Sequence, residues 1–309
     1  MDWVQLWDIC TQPDNVPIII LLILVPFYTW YALRQGFAND RLIAALEQNP
    51  ELAKTHHRKT YPYQEGWPQL VHVWPHLLKI EFFAAIVVLT FLIVWSLVLQ
   101  APLEEPANPN LTMNPAKAPW YFLGLQEMLV YFDPWIAGVV LPGIILGGLM
   151  AIPFCDVNPL GNGYYTFRQR KYALLLFFFG FQGLWLCMSF VGVFIRGPGW
   201  MPFMLGQTWD PHRVVDESYR HLYQVAGLPN GPVSIAFGVG VLLAFGGVVS
   251  TIAHVLYTRY KPLEYKAMNI FQYATMHAML VPMMALPMKM ILWHVFKIKY
   301  VLVTPWFNV

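Results

Sequence analysis

Six apolar stretches of about 20 residues recur along this chain, at 16–34, 79–100, 136–154, 172–195, 233–257 and 268–288. A helix of that length crosses the roughly 30 Å hydrocarbon core of a bilayer, where backbone groups find no hydrogen-bond partners except one another. The pattern predicts an all-α integral membrane protein of about six transmembrane helices. Pro26 and Pro142 lie inside apolar runs, where a membrane helix bends rather than stops. Composition agrees: 57% of the 309 residues are hydrophobic and 12% charged, against about 25% charged in a soluble domain. The net charge of +2 gives no signal for nucleic acid, and none is expected as a partner. Cys10, Cys155 and Cys187 form neither a CxxC nor a CxxCH, so no zinc site, disulfide framework or covalently attached haem is expected, and no metal. Asp2, Asp8 and Asp14 precede the first apolar stretch with no Lys or Arg. That charge is wrong for a signal peptide, and the stretch is expected to be retained.

Basic residues in short loops stay on the cytoplasmic side. They collect in alternate connections: Arg34, Arg41, Lys54, Arg58, Lys59 and Lys79 in the first, Arg168, Arg170 and Lys171 in the third, and Arg259, Lys261 and Lys266 in the fifth. The 101–135 connection holds one base, Lys117, beside Glu104, Glu105, Glu127 and Asp133. It is therefore expected on the side of the membrane away from the cytoplasm, together with the N-terminus and the 196–232 connection. The tail departs from the rule, carrying Lys289, Lys297 and Lys299 on the outer side. Residues 289–303 are expected to form an interfacial amphipathic helix, with a re-entrant sixth segment as the alternative.

The most informative stretch is 105–138, EPANPNLTMNPAKAPWYFLGLQEMLVYFDPWIAG. Pro106, Pro109, Pro115 and Pro119 stiffen it, and Trp120, Tyr121, Phe122, Tyr131, Phe132 and Trp135 suit a membrane interface. On composition alone, an aromatic belt above a helix accounts for it. The run Trp120-Tyr121-Phe122 after a proline-rich loop, however, resembles the PEWY segment at the quinol-oxidation site of cytochrome b and of subunit IV of the cytochrome bf complex. The likeness continues without a gap to Gly138, EPANP is similar to the family's EPADP, and APWYFLGLQE looks like the variant in bacterial menaquinol:cytochrome c reductases.

The resemblance covers about 79–195 and implies three parts: an extra N-terminal helix and cytoplasmic segment in 1–78, a subunit IV-like domain in 79–195, and an outer loop with two extra helices in 196–309. It further implies a quinol pocket lined by Pro119, Trp120, Tyr121, Phe122 and Glu127. The glutamate of PEWY is missing, because its position is Pro119 and the preceding one Ala118. Quinol oxidation must release protons as well as electrons, which calls for a carboxylate within reach. Glu127 follows Trp120 by seven residues, about 700° of helical rotation and about 10 Å of rise, hence nearly the same face. It is the expected proton acceptor, with Tyr121 hydrogen-bonding the quinol ring. The alternative is that Glu127 is a solvated interfacial carboxylate.

Cytochrome b holds its b haems between His pairs 13 or 14 residues apart, and no span here has that pattern. The resemblance therefore implies a separate haem-bearing, b6-like cytochrome b, a Rieske iron–sulfur protein and a c-type cytochrome as partners in a dimeric complex, with menaquinol as the quinol. The segment 194–213 is expected to be ordered without being helical throughout, and to offer a docking surface to an outer electron-transfer domain. His72 and His76 stand four apart near Glu81, a pairing too small for a metal but suited to an interfacial segment near a quinone-reduction site. His56 and His57 read as exposed loop residues. His254 and His277 lie within spans, where ionisable residues mark function. As axial ligands they would make the chain a haem-binding anchor of another respiratory complex. A transporter would carry charges or broken helices at the midplane, and these spans are nearly free of Asp, Glu, Lys and Arg there.

Overall fold

The computed structural model describes residues 2–55, 73–100, 106–158, 165–213 and 218–309. His56, His57, His72, Glu104 and Glu105 lie outside them. Among the described residues the architecture is carried by α1 Trp3–Thr11, α2 Val16–Gln48, α3 Val73–Val98, α4 Trp120–Tyr131, α5 Ile136–Cys155, α6 Phe167–Ile195, α7 Pro232–Tyr260 and α8 Ile270–His294. Among the described residues there is no β-strand, only three isolated bridges. Helices α2, α3, α5, α6, α7 and α8 are long and apolar enough to cross a membrane, matching the six apolar stretches one for one. The protein is an all-α, multi-pass membrane protein.

The helices outrun the apolar stretches where polar residues continue to favour helix. The 33 residues of α2 rise about 50 Å, well beyond the hydrocarbon thickness. Its extension, from Arg34 to Gln48, is rich in Ala, Leu, Arg and Gln, all good helix formers. Pro26 sits inside α2 without ending it, and Pro142 follows a π-type turn at Ile136–Val140.

The chain divides into two compact units. One comprises Trp3–Thr112 and Leu160–Leu174. In it, α2 holds the start of α6: Asn39 Nδ2 donates to the Tyr165 carbonyl at 2.8 Å, and Asp40 Oδ2 accepts from the Arg168 amide at 2.9 Å. That amide belongs to the first turn of a helix, where N–H groups have no partner within the helix. Phe37 and Phe167 stack obliquely with centroids 5.0 Å apart.

The other unit comprises Met1–Asp2, Met113–Pro159 and Leu175–Val309. Its core joins Met128, Tyr131, Phe132, Ala137, Met188 and Leu286, drawn from α4, α5, α6 and α8 and the turn after α4. Small residues let α4 and α6 approach closely. A Cβ on Gly192 would lie 3.2 Å from Leu123 Cβ, and one on Gly124 would lie 3.0 Å from Ser189 Oγ. Residues 196–309 pack into this same unit.

The tail corrects one expectation. Residues 289–303 are not an amphipathic helix: α8 runs on through Lys289 to His294, unbroken and not re-entrant, and then the chain turns. Lys297 has a positive φ of 54°, and residues beyond it run extended. Lys299 N donates to Arg220 O at 2.8 Å and Leu222 N to Tyr300 O at 2.9 Å. The reason is periodicity. In Lys297-Ile298-Lys299-Tyr300 the apolar residues recur every second position, which suits extended backbone, and Ile298 is buried between its lysines.

Candidate functional site

The site is built on α4. Pro119 stands at its N-cap with extended backbone, φ −53° and ψ 150°, so Trp120, Tyr121 and Phe122 form the first turn. Proline loses nothing there, because the amide it lacks would have had no helical partner. The approach to that turn is pinned by Gln126, whose Oε1 accepts from the Ala118 amide and whose Nε2 donates to the Ala116 carbonyl, each at 2.8 Å. Lys117 Nζ donates to the Val193 carbonyl at 2.9 Å and lies 4.4 Å from the Trp209 ring centroid. Val193 is in the last turn of α6, where carbonyls lack helical partners and a cation is favoured. Burial lowers the Lys117 ammonium to about 8, with Glu127 opposing that shift and Arg196 adding to it.

Two faces of α4 do different things. Pro119, Tyr121 and Phe122 are exposed, Tyr121 at 51%, and their aromatic rings contact at 4.8 Å. Trp120 is half-buried and meets Tyr121 edge-on at 5.7 Å. Glu127, by contrast, is 0% exposed and faces the core. The structure thus groups Pro119, Tyr121 and Phe122 as a surface and sets Glu127 apart from them. A solvated interfacial carboxylate is not what Glu127 is.

Arg196 holds it. This residue ends α6, where the backbone turns extended and carries the side chain off the helix axis. Its Nη2 lies 2.5 Å from Glu127 Oε1 and its Nε 3.0 Å from Oε2, while Nη1 donates to the Trp200 carbonyl at 3.1 Å. Burial alone would lower the Arg196 guanidinium; hydrogen bonds and charge from Glu127 more than reverse this and hold it above its ordinary value. One turn along α4 from Glu127, Tyr131 donates its hydroxyl to Glu127 Oε1 at 3.1 Å. Burial, followed by the Glu127 charge, pushes the Tyr131 phenol upward. The same hydroxyl lies 3.1 Å from His294 Nε2, at the end of α8.

The 194–213 segment is ordered and mostly non-helical, as expected. It has short turns at Pro198–Trp200 and Pro211–Arg213, and Phe203 N donates back to Ile195 O at 2.8 Å. His254 and His277 each engage Tyr273: His254 Nδ1 lies 3.0 Å from the Tyr273 hydroxyl, and His277 Nδ1 lies 2.9 Å from the Tyr273 carbonyl. His76 and Glu81 occupy the first turns of α3.

Arg196 and His294 were not among the residues singled out in the sequence, and Tyr131 was noted there only as an interfacial aromatic. A signal for Arg196 existed: it is an arginine directly after an apolar run, on the side where bases are otherwise scarce, and a carboxylate partner explains such a residue.

Residues 106–194 match the family model for the C-terminal region of cytochrome b, b6 and petD. Among curated proteins, the menaquinol:cytochrome c reductase cytochrome c subunits of Bacillus subtilis and Geobacillus thermodenitrificans are 32% identical over 127 residues and 30% identical over 115 residues. These alignments cover 39% and 36% of this chain and 46% and 45% of the relatives, so the chain spans a little under half the length of the curated relatives it matches. No solved structure matches. The family match contains α4, α5 and all but the last residue of α6, and begins after α3. The segment 106–194 is thus similar to the C-terminal region of the cytochrome b/b6/petD family.

Proposed function

We propose that the chain is a subunit of a quinol:electron-acceptor oxidoreductase of the cytochrome bc type, in a bacterial plasma membrane with its N-terminus outside. It forms one wall of the quinol-oxidation pocket. The observation that carries this reading is the exposed Pro119, Tyr121 and Phe122 surface on the first turn of α4, inside the segment that matches the cytochrome b C-terminal family. Exposed aromatic rings beside a rigid proline offer a flat apolar wall for a planar quinone ring. A separate haem-bearing cytochrome b closes the pocket from the other side, and the subunits assemble as a dimer.

Menaquinol is the proposed substrate, because the relatives are named as components of menaquinol:cytochrome c reductases. One electron passes to a Rieske iron–sulfur centre and on to a c-type cytochrome, and the other passes to the partner's b haem. The ordered 194–213 segment supplies the docking face for the outer electron carrier. Tyr121 hydrogen-bonds the quinol ring, Trp120 and Phe122 pack it, and Glu127 takes up a proton. Glu127 is buried and hydrogen-bonded by Arg196, so a proton reaches it through a rearrangement at the α4 N-terminal turn or through water.

The test is purification of the tagged chain in mild detergent from its native membrane, followed by a reduced-minus-oxidised spectrum and identification of its companions. A b-haem subunit and a Rieske protein are expected, with haem reduction by a naphthoquinol that falls on Tyr121→Ala and on Glu127→Gln. Undiminished reduction in both variants overturns the assignment of the pocket. A b-haem spectrum from the isolated chain, lost on His254→Ala or His277→Ala, favours a haem-binding anchor instead.

A further inference from the structure

Glu127 has no contact with solvent, yet it is wired to the surface. Tyr131, 1% exposed, donates its hydroxyl to Glu127 Oε1 at 3.1 Å, and the same oxygen sits 3.1 Å from Nε2 of His294, which is exposed. Three side chains thus form a continuous hydrogen-bonded chain from a buried carboxylate to the outside of the protein. Each is of a kind that holds or hands on a proton. A carboxylate accepts one, a phenol hydroxyl donates and accepts at once, and an imidazole takes up and releases a proton near neutral pH. The last member belongs to α8, outside the segment matched to the cytochrome b family.

The charges around the chain suit this use. Arg196 bonds both carboxylate oxygens; Oε1 also takes the Tyr131 hydroxyl, whereas among the described residues Oε2 takes one bond, from Arg196 Nε at 3.0 Å, which leaves a lone pair. Lys117 and Arg196 both act electrostatically on this cluster. A glutamine side chain at 294 can also hydrogen-bond Tyr131, so it preserves that structural contact.

We propose that Tyr131 and His294 are the outlet through which a proton taken up by Glu127 leaves on the side of the 101–135 connection. The proposal rests on the reading of Glu127 as proton acceptor given above. A proton arriving at Oε2 makes Glu127 a neutral acid. After the acid proton turns toward Tyr131, the phenol passes its own proton to the neutral His294 Nε2 and receives the one from Glu127. His294 becomes an imidazolium and, being exposed, releases a proton to the outside. One proton enters, one leaves, the carboxylate is restored, and no electron moves along the chain.

The experiment uses the intact complex with a short-chain naphthoquinol, reading b-haem reduction and proton release by stopped flow. His294→Gln keeps a hydrogen-bonding side chain at Tyr131 but carries no proton. It is expected to slow proton release and turnover roughly tenfold, to enlarge the solvent deuterium isotope effect, to leave KM for the quinol unchanged, and to recover with millimolar imidazole. Tyr131→Phe is expected to slow turnover without recovery. His294→Gln that turns over and releases protons at the unmodified rate overturns the proposal, as does a slow variant that imidazole fails to rescue. Glu127→Gln separates the two layers: if it is inactive while His294→Gln is normal, only the outlet fails, and if it is fully active, the acceptor reading fails with it.

Discussion

Arg196 and Glu127 form a two-point ion pair in which Nη2 lies 2.5 Å from Oε1 and Nε lies 3.0 Å from Oε2, with side chains only 5% and 1% exposed. The pair ties the residue that caps the C-terminus of α6 to the middle of α4, so the helix that presents Tyr121 is fixed against the helix that leads into the 194–213 segment. Such a pair is not a simple gain. Desolvating two charges costs several kcal/mol each, roughly what their attraction returns, whereas removing one partner strands the other.

The energetic prediction is therefore asymmetric. Glu127→Met leaves a buried, unpaired guanidinium and is expected to destabilise the protein by about 3–5 kcal/mol. Glu127→Met combined with Arg196→Met is expected to recover most of that, to within about 1–2 kcal/mol of the unmodified protein. Thermal unfolding in detergent, followed by tryptophan fluorescence, reads the difference. A double variant no more stable than the single one rules out the ion-pair account.

Lys117 supplies a pH dependence. Its ammonium is lowered to about 8 from an ordinary 10.5, so between those values the unfolded chain binds the proton and the folded chain does not. Stability from this group is fully present above 10.5 and is lost as pH falls through 8. The expected result is a thermal midpoint that declines from pH 10.5 to 8 more steeply in the unmodified protein than in Lys117→Met. Parallel profiles for the two proteins contradict the burial of this lysine.

How much of this was legible in the sequence depends on what carries each feature. The six spans follow from apolar runs that no soluble packing tolerates, and all six formed. The helix ends did not follow. Residues 35–48 and 289–294 remain helical although hydropathy falls there, because Ala, Leu, Gln, Met and Lys keep their helix propensity outside the apolar core. The tail was misread because its lysines and apolar residues suit either a helix surface or an extended strip, and only its pairing with Arg220 and Leu222 decides. At the site, Trp120 and Glu127 share α4, but burial is a tertiary fact. The partner that buries Glu127 stands 69 residues away, and nothing local to α4 announces it.

In the unit formed by Trp3–Thr112 and Leu160–Leu174, Asn39 and Asp40 hold the start of α6. Asn39→Ala removes the 2.8 Å bond to the Tyr165 carbonyl, at a cost of about 1 kcal/mol. Asp40→Ala removes the acceptor for the Arg168 amide, with a loss of similar size, about 1 kcal/mol. Both variants should open this end of α6 more often, and local opening governs cleavage by proteases. Trypsin acting after Arg168, Arg170 or Lys171 is expected to cut each variant severalfold faster than the unmodified protein in detergent. Equal rates argue that the α2 contacts do not secure the segment.

The tail is fastened on α7, and two glycines on one helix give a controlled test. A Cβ at Gly238 would lie 2.9 Å from the Val301 carbonyl oxygen and 3.0 Å from Leu302 Cα. Both are backbone atoms, so relief requires moving the tail rather than turning a side chain. Two residues later, a Cβ at Gly240 would meet nothing within 4 Å. Alanine is the better helix former by about 1 kcal/mol, so Gly240→Ala is expected to be neutral or stabilising. At Gly238 the same propensity gain is opposed by overpacking, which costs about 1–3 kcal/mol, and the net effect is expected to be destabilising. Since Leu302 and Val301 pair with Val309, the displacement should spread to the C-terminus, where Gly238→Ala is expected to make the backbone amides of 301–309 exchange with deuterium faster. Unchanged exchange at those amides in Gly238→Ala means that the tail is held by its pairing with Arg220 and Leu222 and not by its seat on α7.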